Sequence, residues 1–460
     1  MTNQPSSPFD LMTSAFALNA DQGRVWGRDF LPMSAGVNWA PPSPAIKRLL
    51  WRELTDDITT RNYGNPGGIS QPVAALELVE RGLHRSRKVR VTLTHGTTEA
   101  AWLLFEAWRR ADAFGAGDRA LTLGPAFPYY HRLAADAGLD FVQVVRPDDR
   151  TGASLPESAQ IAEVLGAKAP RVIVLILPNN PLGEILDEAG LQVICDYVAQ
   201  GHARLLVDRV CLMPWDNADR VARKIGPLVD TGFAGVVDSL SKSESLAGIR
   251  RGFAVTNAEV KARLVELTKT RFLNPPTFPA ATMAAVRLAQ YDLRRGNRMG
   301  ILFADSADEI FSEYPGGEDF RAFLEEAVAI LPEVRAGTAR RHETLRRNFE
   351  ALELAFADRL AGPLLWNAGF NVALATTDMD SAREASDAEA LAREKGVGVL
   401  TSRCFGVEDR DFYFVRIGLT LPPSDFTEGL SRLLSFYASR RASRTRLAGQ
   451  DIPQRKRSTS

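Results

Sequence analysis

The chain has 460 residues, two or three domains' worth of polypeptide, and its 45% apolar and 24% charged content is that of an ordinary globular protein. Lys+Arg and Asp+Glu both total 56, which leaves no bulk field to recruit nucleic acid or an anionic membrane. No apolar run approaches a membrane span, the polar start Met1–Asp10 lacks a signal peptide's regions, and the only three cysteines, Cys195, Cys211 and Cys404, lie too far apart for a disulfide scaffold or thiolate metal site, so a cytoplasmic protein is expected.

In chain order, residues 1–30 are polar and mixed, and a loose arm is expected there. Phe30 to Pro44, rich in small residues and proline, reads as an extended lead-in. From about Arg90 to Asn257, short β-rich runs alternate with helical stretches. The runs are Val91–Thr94, Ala120–Leu123, Phe141–Val145, Val172–Leu177, Leu205–Val207, Val236–Ser239 and Gly252–Val255. Helical candidates between them include Thr98–Ala111, Leu155–Gly166 and Glu188–Gln200. Several runs are continuously apolar, as strands covered on both faces are. This alternation predicts an α/β domain with a doubly wound, mainly parallel sheet, whose ligands bind at the carboxyl ends of the strands.

After Asn274-Pro275-Pro276-Thr277-Phe278-Pro279 the chain turns helical, over Ala280–Gln290 and Phe320–Leu354, with an irregular stretch from Arg294 to Gly317. The last part mixes strand and helix (Phe370–Ala375, Gly396–Leu400, Phe412–Leu419, Ser424–Tyr437), a small α+β domain. The expected division is 1–60 as an N-terminal arm and part of the small domain, 61–275 as the large domain, 276–440 as the small C-terminal domain, and 441–460 as a polar, basic, disordered tail.

The most informative string is SLSKSESLAGIRRGF. Lys242 follows an apolar strand-like run, is flanked by the hydroxyls of Ser239 and Ser241, and has Arg250 eight residues on. A Schiff-base site for a phosphorylated aldehyde needs these groups: a partly desolvated amine, and hydroxyls with a guanidinium fork for the phosphate. The other reading of a lone SxSK is a surface lysine in a polar loop. Gly96, Thr97 and Thr98 open a helix after a strand, where backbone N–H groups favour an anion and a threonine N-cap is the plainer alternative. Arg416, inside Phe414-Val415-Arg416-Ile417-Gly418, is costly unless it meets an anion. The histidines (His84, His95, His131, His202, His342) form no metal-ligand spacing, and no metal is expected.

The lysine string resembles the signature of class I/II aminotransferases, fold-type I enzymes that use pyridoxal 5'-phosphate, and the resemblance runs from about Gly36 to the 430s. Val91 to Ala100 is similar to the strand–turn–helix that cups the cofactor phosphate, and Pro125-Ala126-Phe127-Pro128-Tyr129-Tyr130 to the segment whose aromatic, here Phe127, stacks on the pyridine ring. Asn180-Pro181-Leu182-Gly183 resembles the family's asparagine turn, which implies a bond from Asn180 to the phenolic oxygen and a place near substrate. Leu205-Leu206-Val207-Asp208 resembles the strand ending in the aspartate that faces the ring nitrogen. The resemblance further implies that Ser239, Ser241 and Arg250 complete the phosphate cup, that Gly36 lies in the loop covering the substrate, and that Arg416 binds its carboxylate. Arg250 is preferred to the adjacent Arg251 on family spacing alone. Tyr63 resembles the tyrosine that reaches the neighbouring subunit's phosphate, which implies a homodimer with shared active sites.

Two features depart from the family. Cys211 stands where a tyrosine commonly follows the aspartate by three residues, and a thiol is a much weaker donor than a phenol. The Lys242-to-Arg416 interval is long, which places an insertion near 291–335, a lid or a surface elaboration. The expected activity is an aminotransferase acting on an α-amino acid. The alternatives are a pyridoxal-phosphate enzyme of another class (γ-elimination or replacement on an activated amino acid such as S-adenosylmethionine, oxidation or decarboxylation) and a non-enzymatic regulator, against which the Lys242, Asp208, Asn180, Arg250 and Arg416 set argues.

Overall fold

The computed structural model describes residues 7–55, 63–145, 154–216, 218–294, 317–408 and 413–450. Its centre is a seven-stranded sheet: β1 (Arg90–Thr94), β2 (Arg119–Leu123), β3 (Asp140–Val144), β4 (Val172–Ile176), β5 (Arg204–Asp208), β6 (Ala234–Ser239) and β7 (Gly252–Thr256), in the order β1-β7-β6-β5-β4-β2-β3. Strands β2 to β6 run parallel, and β7 is antiparallel to both β1 and β6. The sheet is therefore doubly wound and mainly parallel, as the strand–helix alternation predicts.

Strand β4 shows why the pattern was readable. It is Val-Ile-Val-Leu-Ile and buried throughout. Ile173 and Leu175 join the core under the helices Ser70–His84 and Glu188–Ala199, while Val172, Val174 and Ile176 face Thr97–Arg109 and Ala258–Phe272. Successive side chains point to opposite faces, so a strand roofed on both sides needs no polar alternation.

A smaller antiparallel sheet follows in the order β8 (Asn371–Leu374), β10 (Val415–Gly418), β9 (Leu400–Thr401). Its core includes Leu345, Leu352 and Phe356 of the long helix Leu331–Phe356 and Phe426, Leu430 and Leu433 of Pro423–Gln450. The lead-in joins it: Leu31 bridges Val397, and the Met33 carbonyl accepts from Gly418 N at 2.6 Å. This seam carries Gly36 to the mouth of the large sheet.

The first segment is not a loose arm. Pro8–Trp26 is a helix with Pro at its start and a capping box between Ser7 and Asp10. It was hidden because its buried stripe is thin, Met12 and Gln22 alone. The final helix, Pro423–Gln450, continues through 441–450, where a disordered tail was expected. Of the expected insertion at 291–335, residues 295–316 lie outside the described residues; its flanks are in the helices Ala280–Arg294, Gly317–Ala329 and Leu331–Phe356. Among the described residues no helix is long and apolar enough to cross a membrane.

Strand ends meet where β7 begins, since Gly252 pairs with Thr94 of β1 and with Ser239 of β6. A Cβ on Gly252 would lie 2.6 Å from Gly96 C and 2.9 Å from Thr97 N, both backbone atoms that cannot swing aside. Gly252→Ala is therefore expected to cost about 1–3 kcal/mol in urea unfolding by overpacking. An unchanged midpoint would mean that the turn after β1 is slack.

Candidate active site

Lys242 lies in the turn that leaves β6. Glu244 N donates back to the Leu240 carbonyl at 3.2 Å, and Ser239 Oγ accepts from Ser241 N at 3.2 Å. The turn is held from outside by Asn38, whose Nδ2 donates to the Lys242 carbonyl at 2.7 Å. Lys242 Nζ donates to the Gly36 carbonyl at 2.7 Å. Burial holds its pKa below that of a free lysine, and the Arg416 and Arg250 charges act in the same direction. A lowered pKa favours the neutral, nucleophilic form of the amine.

Asp208 ends β5, buried at 6% exposure. Tyr130 Oη donates to its Oδ2 at 2.6 Å and Val210 N to its Oδ1 at 2.9 Å. Desolvation outweighs both bonds and raises its pKa to about 6. Cys211 is buried nearby, and burial followed by the Asp208 charge pushes its thiol up to about 12. It therefore stays a thiol and is no thiolate nucleophile.

The helix Thr97–Arg109 starts at Gly96, whose φ of 88° suits glycine, and no side chain caps it. Its first N–H groups are thus free of a side-chain partner at the position where an anion is favoured. Arg250, itself left-handed at φ 58°, overhangs this start: a Cβ on Gly96 would lie 3.0 Å from Arg250 Nη2. Arg251 is buried and goes elsewhere, toward Glu53 and Glu99, and burial drops its pKa to about 10. The two adjacent arginines thus point to different places, Arg250 over the helix start and Arg251 into the core.

Arg416 is 2% exposed in β10. Its Nη2 donates to the Ser34 carbonyl at 2.6 Å, its Nε to Ser34 Oγ at 3.2 Å and its Nη1 to Asn180 Oδ1 at 2.8 Å. The guanidinium lies 5.1 Å from the Phe405 ring centroid. These partners are neutral, and desolvation drops its pKa to about 10. It is a buried cation whose partners among these bonds are all neutral, an arrangement that costs free energy in folding. Gly36 has to be glycine here, because at φ 64° a Cβ would sit 2.7 Å from Arg416 Nη2.

Lys242, Asp208, Cys211, Gly36, Asn180 and Arg416 thus converge, with Ser239, Ser241, Gly96, Thr97 and Arg250 around the strand ends, while Phe127 is half-buried against the core. Thr98 is exposed, and its carbonyl accepts from Tyr129 Oη at 3.0 Å. Tyr63 stands apart, 85% exposed. Sequence reasoning missed Tyr130, Ser34 and Asn38. Tyr130 had a signal, since it belongs to the same aromatic segment as Phe127 and lies in the first turn of the helix Tyr129–Asp136; Ser34 and Asn38 act through contacts that only the fold reveals. Pyridoxal phosphate fits this donor set: an uncapped helix start with a guanidinium for its phosphate, a buried carboxylate for its ring nitrogen and a depressed lysine for its aldehyde.

Comparison with known proteins agrees with the geometry. The family described as aminotransferase class I and II matches residues 28–313. A protein described as a probable aminotransferase from Mycobacterium tuberculosis is 29% identical over 288 residues, 61% of this chain and 62% of that protein. A histidinol-phosphate aminotransferase from Chlorobium luteolum is 28% identical over 240 residues, 51% of this chain and 60% of the relative. The chain thus spans about three fifths of the length of these relatives. Among solved structures, an aminotransferase from Mycobacterium tuberculosis matches with TM-score 0.66 and 22% identity over 95% of this chain and 98% of that one. A Thermus thermophilus aspartate aminotransferase double mutant matches with TM-score 0.64 and 20% identity over 94% and 97%. These two likenesses show the fold, that of fold-type I aminotransferases.

The Asp208 environment makes a prediction about pH. Its folded pKa, about 6, lies above its ordinary 3.8, so between these values the folded chain holds a proton that the unfolded chain releases. Stability therefore falls as pH rises through that window, by up to about 3 kcal/mol. In cofactor-free protein, Asp208→Asn removes this loss and raises the urea midpoint at pH 7 relative to wild type. Identical pH slopes in the two proteins would mean that Asp208 is not desolvated.

Proposed function

Because the chain belongs to the aminotransferase class I and II family, we propose that it is a pyridoxal-phosphate-dependent aminotransferase acting on an α-amino acid. One observation carries this reading: Lys242 Nζ and the Arg416 guanidinium flank a single residue, Gly36, whose carbonyl accepts from the amine at 2.7 Å and whose missing Cβ would touch Arg416 Nη2 at 2.7 Å. An α-amino acid carries amine and carboxylate on one carbon, so a reactive amine and a carboxylate fork on either side of one glycine suit it.

Pyridoxal phosphate, when bound, supplies the electron sink that makes the α-proton acidic. The N–H groups after Gly96, with Thr97, Thr98, Ser239, Ser241 and Arg250, would hold the phosphate, and Phe127 would stack on the ring. Asp208 holds a proton at the ring nitrogen, and Tyr130 fixes the orientation of Asp208. Asn180, with Oδ1 engaged by Arg416, keeps Nδ2 as the donor for the phenolic oxygen. Cys211 adds a weak donor there in place of a phenol. Arg416 binds the substrate carboxylate as a fork, held in place by Ser34 and Asn180. Lys242 Nζ would hold the aldehyde, and the same amine is placed to carry a proton to and from the substrate α-carbon.

A homodimer completes the site in this reading. Tyr63 at 85% exposure, Leu54 at 46%, Phe272 at 44% and Leu273 at 58% are large apolar groups left in water. The segments beside them in sequence are packed together: a Cβ on Gly64 would lie 3.3 Å from Thr277 and 3.7 Å from Asn274, and Glu53 accepts from Ala281 N and Thr282 N. A second copy of the chain covers them and takes Tyr63 to its own phosphate cup. The cysteines are free and buried, which suits the reducing cytoplasm to which we assign the protein.

Lys242→Ala is expected to abolish turnover with the far-UV spectrum unchanged; retained turnover would sink the assignment. Arg416→Lys keeps the charge but loses the fork, and should raise KM for the amino acid about 10- to 100-fold. An unchanged KM would place the carboxylate elsewhere. Sedimentation equilibrium should give a dimer, and an active monomer would remove Tyr63 from the site.

A further inference from the structure

The helix Leu331–Phe356 belongs to the small-domain side of the chain, yet two of its turns reach the segments that carry the active-site groups. Arg341 Nη2 donates to Glu244 Oε2 at 2.7 Å, two residues beyond Lys242. The His342 ring stacks on Trp215 at 4.8 Å between centroids, in the loop after Asp208 and Cys211. Asn348 Nδ2 donates at 2.9 Å to both the Leu419 and Leu421 carbonyls, just past Arg416. Arg341, Leu345, Asn348 and Leu352 are all buried and spaced as one helical stripe.

The Arg341 contact is the most demanding of these. Glu244 is fully buried at 0% exposure and Arg341 is 5% exposed. Glu244 Oε1 accepts from Gln290 Nε2 at 2.8 Å, and Gln290 Oε1 from Arg287 Nη1 at 2.9 Å. Arg287 pairs with Asp238, which takes Arg209 Nε at 2.6 Å, and Arg209 pairs with Glu80. Asp238 precedes Ser239, and Arg209 follows Asp208. One buried chain of charge-assisted bonds therefore runs from the long helix under the lysine turn to the end of β5. A buried ion pair is seldom retained for stability, since apolar residues of like volume serve as well; its directional geometry is what apolar packing lacks.

We infer that Arg341 is a positioning residue for Lys242, acting through Glu244 to fix the lysine turn against the small domain. The inference rests on the aminotransferase reading. Its test uses the holoenzyme of Arg341→Met, Arg341→Lys and the double variant Glu244→Gln/Arg341→Met, which leaves no buried charge unpaired and so keeps the test valid where Arg341→Met alone fails to fold. Three quantities are read: kcat, KM and the visible circular dichroism of the bound cofactor. The double variant should lose kcat on the order of 10²-fold, the cost of a displaced reacting group, with KM unchanged and the visible dichroism weakened. Arg341→Lys, which can still reach one Glu244 oxygen, should recover most of kcat. A double variant with wild-type kcat and wild-type dichroism would overturn the inference and leave the pair as a fold element. Wild-type protein that takes up no cofactor on Lys242 would overturn the aminotransferase reading itself, a separate outcome.

Discussion

Desolvation of charge at one point governs the rest of this structure. Lys242, Asp208 and Arg416 come from the turn after β6, the end of β5 and the middle of β10, and burial shifts each toward its neutral form. Each shift is a cost to folding in the absence of a ligand and a gain in reactivity or affinity when one arrives. Lys242 and Arg416 can approach because Gly36 has no side chain: its carbonyl receives the lysine amine while its Cα leaves room for the guanidinium.

Groups held out of water this way need a rigid surround. Asp208 is oriented by Tyr130, Arg416 by Ser34 and Asn180, and the lysine turn by Asn38. Behind them, Glu80, Arg209, Asp238, Arg287, Gln290, Glu244 and Arg341 form a continuous buried series in which each charge meets an opposite charge or an amide. His84 lies against Glu80 at the far end, its pKa lowered by burial. Such pairing turns a cost of several kcal/mol per buried ion into near-neutrality while fixing direction. Thr420 Oγ1 donates to the Val37 carbonyl at 2.9 Å and accepts from Trp39 N at 3.2 Å, so the loop with Gly36 is tied to the chain just past Arg416 as well as, through Asn38 and Gly36, to the lysine turn.

Much of the fold was legible because its strands are buried on both faces and so appear as unbroken apolar runs, Val172–Ile176 above all. The helix at Pro8–Trp26 was not, because propensity and a capping box specify it while only Met12 and Gln22 are buried. In the site, the elements with a local signature were readable: Lys242 between hydroxyls, Asp208 at the end of an apolar strand, Arg416 inside one. What had no local signature was pairing across the chain. Nothing near Glu244 in sequence marks Arg341 as its partner, and nothing near Asn180 says that its Oδ1 is taken by Arg416. Arg250 and Arg251 look alike in sequence and differ only because one backbone is left-handed over Gly96 and the other side chain turns into the core.

The central claim is that Lys242, Asp208 and Arg416 serve transfer of an amino group. Its most direct test is the stoichiometry of keto acid released from single amino acids by the cofactor-loaded enzyme, with no amino-group acceptor present. Transfer predicts release that stops at one equivalent per active site and resumes when a keto acid acceptor is added. Continuous release without an acceptor, or none from any α-amino acid, would contradict the account.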